Sequence, residues 1–242
     1  MEKTDVSQRI WEIDFLRGVA IILMVGYHLL YDLGQMVGLR SFLGFSTDLS
    51  TRAWTIAQYF FATLFVVLSG ISSTLSRGNI RRALKLLAVA LLVTAATFIF
   101  DRAETVHFGI LHCLAVSILL YGWLFERARA PASAAAGAAV LGLSAVLPLA
   151  LKGVPIRFDW LLPFGIHSPA YASFDYFPLL PWFGIFLAGT ALGKSVYAVK
   201  RSLVGTRLPS TFVNIAGRHS LLIYIVHQPV ILAVLYLFRL AR

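Results

Sequence analysis

The chain has 242 residues, of which 59% are hydrophobic and only 13% are charged, and its formal net charge is +10. A water-soluble domain carries about 25% charged residues to solvate its surface, so this composition excludes an ordinary soluble globule and favours a protein whose outer surface faces lipid. The basic residues lie mainly in short segments between apolar stretches. This pattern indicates membrane topology and contact with anionic lipid, and it argues against a nucleic acid partner.

Seven stretches are apolar over the roughly 20 residues that a membrane-spanning helix needs. They cover residues 13–35, 54–75, 81–100, 107–125, 132–151, 177–197 and 220–238. The sequence therefore predicts an all-α, polytopic transmembrane helix bundle of about seven spans, built as a single domain over residues 1–242. The fifth stretch is dominated by alanine, glycine and leucine, which favours close helix packing and no chemistry.

The distribution of lysine and arginine predicts the orientation of the chain. With a cytoplasmic N-terminus, 13 of the 21 basic residues fall in inside segments and 7 in outside segments. The inside residues are Lys3, Arg9, Arg77, Arg81, Arg82, Lys85, Arg127, Arg129, Lys194, Lys200, Arg201, Arg207 and Arg218. The outside residues are Arg40, Arg52, Arg102, Lys152, Arg157, Arg239 and Arg242. Because cytoplasmic loops are enriched in basic residues, the N-terminus is predicted to be cytoplasmic and the C-terminus outside.

The first span carries several polar residues on one side. In EIDFLRGVAIILMVGYHLLYDLGQ, Arg17 and His28 are separated by a rotation of only about 20° on a helix. Asp14, Tyr31 and Asp32 lie on the same broad face. Ionisable residues within a span are costly, so each is a candidate for function. As alternatives, Asp14 and Arg17 pair and anchor the helix at the interface, and His28 makes a structural hydrogen bond.

Later spans add two further histidines as candidates. His112 enters the fourth predicted span about one turn from its outer end. His227 and Gln228 lie in the last span directly before Pro229, whose missing N–H leaves a backbone carbonyl that either side chain could satisfy. A structural role for His227 therefore fits the sequence as well as a catalytic one. The histidine spacings contain no metal-binding motif, so no metal is expected.

Two segments between spans are distinctive. SRGNIRRALK places Arg77, Arg81 and Arg82 at a helix start, where guanidinium groups and helix N–H groups favour phosphate binding. The alternative is that these residues only set topology. The aromatic, proline-broken segment of residues 157–176 is too interrupted to span, and it fits the membrane interface or a lid over a cavity.

Five segments, in this order, resemble the bacterial branch of the heparan-α-glucosaminide N-acetyltransferase catalytic-domain family, within the wider membrane acyltransferase superfamily. They are IDFLRGVAIILMVGYH, FVVLSGISSTLSRGNIRR, HFGILHCLAVSILL, YFPLLPWFGIFLAGTALGK and GRHSLLIYIVHQP. The resemblance covers roughly residues 9–230. Each motif alone is weakly specific, whereas their order together is specific.

The resemblance implies a multi-pass protein of the bacterial inner membrane. It would move an acetyl group from acetyl-CoA on the cytoplasmic side to an amine or hydroxyl of a sugar on the other side. The donor's phosphates would bind Arg17, Arg77, Arg81 and Arg82. His28 or its rival His112 would be the base, with Asp32 orienting the imidazole or contacting the sugar. Asp14, Tyr31, His227 and Gln228 would contact substrate.

The chain departs from the family where the base is concerned. In the lysosomal enzyme, as the family is described, a catalytic histidine lies just beyond the first span, whereas residues 29–53 here contain none. That role must move to His28 or His112, or the activity differs. Two other functions fit the same residues: a transporter or lipid flippase with a relay of His28, Asp32 and Arg17, and a scaffold that binds a partner helix. A homo-oligomer is also compatible with the sequence.

Overall fold

The computed structural model describes residues 10–205 and 211–240, and this part of the chain is almost entirely helical. Its α-helices are Trp11–Asp32 (α1), Arg52–Leu75 (α2), Asn79–Phe100 (α3), Ile110–Leu120 (α4), Ala130–Ala150 (α5), Leu179–Val196 (α6), Phe212–Arg218 (α7) and Ser220–Leu240 (α8). Short π-helical segments extend α1 through Leu33–Val37 and α4 through Tyr121–Phe125. A small antiparallel hairpin pairs Ser41–Phe42 (β1) with Phe45–Ser46 (β2), and Leu162–Phe164 forms a 3-10 turn.

Six helices among the described residues are long and apolar enough to cross a membrane. They are Trp11–Val37, Arg52–Leu75, Asn79–Phe100, Ala130–Ala150, Leu179–Val196 and Ser220–Phe238. Many of their large apolar side chains are exposed, as expected of helices that face hydrocarbon. The prediction of an all-α, polytopic membrane helix bundle is confirmed.

The predicted fourth span, 107–125, is shorter than expected. Its helical part is only Ile110–Phe125, which rises about 24 Å and falls short of a hydrocarbon core of about 30 Å. The helix starts late because Gly109 has extended backbone angles, φ −85° and ψ −174°. By length, the described chain therefore has six spans rather than seven. A cytoplasmic N-terminus with the C-terminus outside requires an odd number of spans, so six spans do not fit that pair of predictions, and the side on which each terminus lies stays a prediction. Lys3, Arg9, Arg207 and Arg242, which entered the charge count, lie outside the described residues.

The helices group into two compact units, and the chain passes from one to the other within α2 and again after Val199. The first unit contains the chain up to Phe65 and from Lys200 onwards, and therefore holds α1, the hairpin, α7 and α8. The second contains Val66–Val199, and therefore holds α3, α4, α5 and α6. The single domain over residues 1–242 stays a prediction.

In the first unit, α1 packs closely on α7 through two glycines. A Cβ on Gly18 would overlap the Val213 carbonyl oxygen, and one on Gly217 would overlap the Asp14 carbonyl oxygen. The Asp14 carboxylate also pairs with the Arg218 guanidinium, Oδ2 to Nε, at 3.5 Å. The two helices thus need small residues at both contacts, and the ion pair joins their ends.

Small residues also bring helices together in the second unit. A Cβ on Gly137 of α5 would lie 3.0 Å from the Gly184 carbonyl oxygen of α6, and one on Gly184 would lie 2.9 Å from the Gly137 carbonyl oxygen. The predicted packing role of the fifth span is confirmed. The LSG motif is also a packing site, since a Cβ on Gly70 would overlap the Phe186 carbonyl oxygen.

Candidate functional site

Two histidine rings meet in the first unit, His28 from α1 and His227 from α8. Their ring centroids are 4.9 Å apart and the planes are inclined at 77°. The Nδ1 of His28 lies 2.9 Å from the Met24 carbonyl oxygen, and the Nδ1 of His227 lies 2.6 Å from that of Tyr224. Both carbonyls are acceptors, so each Nδ1 carries the proton and each Nε2 keeps its lone pair. Two imidazole bases with the same tautomer therefore face one another.

An acidic group completes this histidine pair. The Gln228 amide nitrogen donates to the Asp32 carboxylate at 2.8 Å, and Asp32 is only 4% exposed. Asp32 lies one helical turn beyond His28, so α1 supplies both groups to the same side. Among the described residues, the buried His227 Nε2 and Gln228 Oε1 have no hydrogen-bond partner. Unpaired buried acceptors cost about 1–3 kcal/mol each and mark a site whose role is not packing alone.

Aromatic residues line one side of the pair, and the sequence had not singled them out. The Tyr27 ring lies 5.7 Å from the His28 ring and 5.9 Å from the Trp54 ring, centroid to centroid. The Tyr27 hydroxyl donates to the Gln58 amide oxygen at 3.3 Å. These contacts link α1 to the start of α2. The only feature of the sequence that pointed to Tyr27 is its position directly before His28.

Asp14 and Arg17, which the sequence also singled out in the first unit, lie further towards the start of α1. Asp14 was predicted to bind substrate, but it lies about 21 Å from His28 along α1 and pairs with Arg218. The alternative in which Asp14 pairs with Arg17 stays a prediction. Arg17 is half-buried about 16 Å from His28, and Tyr31 is 48% exposed.

Pro229 does not explain the hydrogen bond of His227. A proline leaves the carbonyl four residues earlier without its helical partner, and that carbonyl belongs to Ile225. The His227 ring instead bonds the Tyr224 carbonyl oxygen. The expected structural role beside the proline is therefore not the one that the structure shows.

His112 lies in the second unit and has both ring nitrogens engaged. Its Nδ1 accepts from the Gly109 backbone N–H at 3.3 Å, so its Nε2 carries the proton and lies 3.2 Å from the Thr94 hydroxyl. Thr94 in turn donates to the Val106 carbonyl oxygen at 2.7 Å. This buried network holds the start of α4 against α3. It leaves His112 no spare lone pair with which to act as a base.

The predicted phosphate-binding residues at the start of α3 also belong to the second unit. Arg77 and Arg81 are exposed, whereas Arg82 is half-buried and its Nη2 donates to the Ser73 hydroxyl at 3.2 Å. Arg82 is therefore fixed by the end of α2, beside two guanidinium groups that reach solvent. Arginine forks of this kind match phosphate oxygens.

The aromatic segment between α5 and α6 is tied to the chain before α4. The Phe174 N–H donates to the Glu104 carbonyl oxygen at 2.9 Å, and the Ser173 hydroxyl donates to that of Thr105 at 3.0 Å. The Asp175 carboxylate accepts from the Ile110 N–H at 2.9 Å, at the first turn of α4. These bonds anchor the end of the segment that the sequence described as an interface or a lid.

The six apolar helices define a multi-pass membrane protein. Two of them, α1 and α8, hold a polar cluster made of two half-buried histidines and the buried Asp32. A model of the heparan-alpha-glucosaminide N-acetyltransferase catalytic family matches residues 9–229, and the chain belongs to this family. The match covers most of the chain and implies a membrane acetyltransferase. Comparison with curated proteins and with solved structures gave no match.

Among the described residues, no group of three or more His, Cys, Asp or Glu side chains is placed to hold a metal ion.

Proposed function

We propose that the protein transfers an acetyl group from acetyl-CoA to an amine or hydroxyl of a sugar, in the inner membrane of a bacterium. The observation that carries this proposal is the pair of His28 and His227, each with its Nε2 lone pair available, beside the buried Asp32. A general base must offer a lone pair within reach of the proton that it removes. The family supports the acetyltransferase class, and the residues support its base.

The reaction proceeds by direct attack. The acceptor's nitrogen or oxygen attacks the thioester carbonyl carbon while the Nε2 of His28 takes the acceptor's proton. The carbon–sulfur bond then breaks, and the CoA thiolate leaves and receives that proton from the imidazolium. The products are the acetylated sugar and CoA, and His28 returns to its neutral form. The Asp32 carboxylate, fixed by Gln228, favours the transient imidazolium electrostatically.

Purified protein in lipid nanodiscs, incubated with acetyl-CoA and a panel of sugars with and without an amine, tests the proposal. Released CoA is measured with a thiol reagent, for which the background is low because the only cysteine, Cys113, is buried. We expect CoA release that depends on the acceptor. If no CoA is released and CoA does not raise the melting temperature of the protein, the hypothesis of an acetyl-CoA-dependent enzyme is excluded. Proton-coupled flux without acetyl-CoA would instead establish the transporter.

The arginines at the start of α3 are proposed to bind the donor's phosphates. Arg81→Ala should raise the KM for acetyl-CoA about tenfold and leave kcat within about twofold, because a charge-assisted hydrogen bond is lost from binding only. Arg82→Ala should have the same effect, with some loss of stability because its bond to Ser73 also disappears. Steady-state kinetics at varied acetyl-CoA concentration measure both parameters.

Lys85→Ala is the matched control, since Lys85 is a basic, exposed residue one turn further along α3. It should leave the KM for acetyl-CoA unchanged. Equal KM values in all three variants and the wild type would mean that these residues only set the topology of the chain.

A further inference from the structure

Four aromatic rings form a second polar cluster, which lies wholly in the second unit. Tyr171 is at its centre: its ring centroid lies 6.1 Å from that of His107, 5.2 Å from that of His167 and 5.3 Å from that of Tyr176. His167 and Tyr176 are also in contact at 5.2 Å, edge to face. We call these four residues the loop cluster. The mechanism proposed above uses none of them.

Backbone carbonyls fix the protons of both imidazoles in the loop cluster. The Nδ1 of His107 donates to the Thr105 carbonyl oxygen at 3.0 Å, and the Nδ1 of His167 donates to that of Ser168 at 2.9 Å. Each histidine is thereby left with an Nε2 that accepts hydrogen bonds. The cluster thus presents acceptors on rings whose orientation is set by the main chain.

The hydroxyl of Tyr171 differs from that of its neighbour. The Tyr176 hydroxyl donates to the Leu162 carbonyl oxygen at 2.8 Å. The Tyr171 hydroxyl is buried and makes no hydrogen bond of ordinary distance and angle within the described ranges, although Ser173 and the main chain at His107 are near enough to interact with it. Burial raises the pKa of Tyr171, and that of Tyr176 to about 12, so both hydroxyls stay protonated at neutral pH. Tyr171 therefore retains an O–H donor that packing alone does not explain.

The charge near the loop cluster is negative. The Asp159 carboxylate accepts from the Ser168 N–H at 2.7 Å, and this bond lowers the pKa of Asp159. Asp175 is the second carboxylate close enough to act on Tyr171. Anionic ligands are therefore disfavoured. A ligand with several hydroxyl groups and apolar C–H faces fits best, because hydroxyls can donate to both Nε2 atoms and to Asp159 while C–H faces pack on the rings.

We propose that the loop cluster is a binding site for an uncharged or amine-bearing saccharide. The inference rests on the proposed function in one respect, namely that the ligand belongs to the same chemical class as the proposed acceptor. An interfacial anchor is a different kind of feature, exemplified nearby by Trp160, which is 72% exposed and stacks on Phe158. The loop cluster instead combines a buried donor with fixed acceptors.

Saturation-transfer NMR and calorimetry on the full-length protein in nanodiscs, without acetyl-CoA, test this inference. Sugar-based detergents are avoided at every step because their headgroups would compete. The probes are cellobiose, the disaccharide of glucosamine, and glucose 6-phosphate, and a second arm places a glucosyl diacylglycerol in the nanodisc. We expect binding of the uncharged or amine-bearing sugar in at least one arm, with the phosphorylated sugar bound more weakly. Binding in one arm only would identify the source as a free or a lipid-linked saccharide.

Tyr171→Phe removes only the hydroxyl and should weaken saccharide binding about fivefold. His167→Ala should weaken it at least as much. Tyr236→Phe is the matched control, because Tyr236 is an exposed tyrosine on α8 in the first unit, and it should bind like the wild type. Failure of every saccharide to bind, or equal affinity in the Tyr171→Phe and Tyr236→Phe proteins, would overturn the inference.

His28→Ala separates this inference from the proposed function. That protein should keep its saccharide affinity and lose acetyl transfer. If saccharide binding depends on Tyr171 but the wild-type protein has no transferase activity, the proposed function is rejected and the saccharide site at the loop cluster is retained. If the protein transfers acetyl groups and all loop-cluster variants keep the wild-type saccharide affinity, the saccharide site is rejected and the proposed function is retained.

Discussion

Replacing His28 by alanine will lower kcat for acetyl transfer by about two to four orders of magnitude, the usual contribution of a positioned general base. The reason is geometric. Among the two histidines of the cluster, His28 shares α1 with Asp32, and its Nδ1–H is fixed by the Met24 carbonyl oxygen, so that Nε2 alone accepts. Released CoA under saturating donor and acceptor measures the effect, and added imidazole should restore part of the rate.

His219→Ala provides the control for His28→Ala. His219 is an exposed histidine of the same unit, at the junction of α7 and α8, and its replacement should leave kcat within about twofold. The melting temperatures of both variants show whether the fold survives. A folded His28→Ala protein with wild-type kcat would remove His28 from the reaction.

The double variant of His28 and His227 tests whether the two rings act together. Residues that work as one unit show non-additive losses, so the double variant should be no slower than His28→Ala by more than about threefold. Independent roles would instead multiply the two single losses.

The sequence could place His28 and Asp32 together because helical periodicity is a local property. His28 and Asp32 are one turn apart, so any α-helix brings them to the same side. His227 and Gln228 could be proposed as polar residues within a span, but their contact with His28 and Asp32 depends on how α8 packs on α1. Tyr27 was missed because an interfacial tyrosine is ordinary in a membrane protein.

Helical periodicity predicted less well the residues whose contacts depend on their position along the helix or on a partner from another helix. Asp14 shares the broad face of His28, yet it lies some four turns away and its partner Arg218 comes from α7. For His112, the engagement of both nitrogens depends on the Gly109 N–H and on Thr94 of another helix. No spacing within the chain encodes such contacts.

The span count shows the same limit for the fold. A window of apolar residues located all six helices that are long enough to span, because composition alone marks a segment that is stable in lipid, but it also counted the shorter apolar helix Ile110–Phe125 as a span. The same window could not locate the start of α4, because His107 and Phe108 are aromatic residues of kinds that also occur within spans. The backbone at Gly109 and the bond from Asp175 to Ile110 set that start instead.

Gly217→Val will destabilise the protein by about 3 kcal/mol or more, because there is no room for a side chain at this position. A Cβ there would overlap the Asp14 carbonyl oxygen and lie 2.7 Å from its carbon and 2.8 Å from the Gly18 nitrogen. All of these atoms are backbone, so only separation of α7 from α1 relieves the overlap, and the Asp14–Arg218 ion pair would be lost with it. The melting temperature and the yield of monodisperse protein measure the loss.

Gly142→Ala on α5 is the matched control for Gly217→Val. A Cβ at Gly142 would meet nothing within 4 Å, so this change should keep or slightly raise the melting temperature, since alanine favours a helix by up to about 1 kcal/mol over glycine. If Gly217→Val and Gly142→Ala melt at the same temperature as the wild type, α1 and α7 are not packed through Gly217. A lower melting temperature in Gly217→Val alone would establish that α7 packs on α1 through Gly217, the same junction that the Asp14–Arg218 ion pair joins.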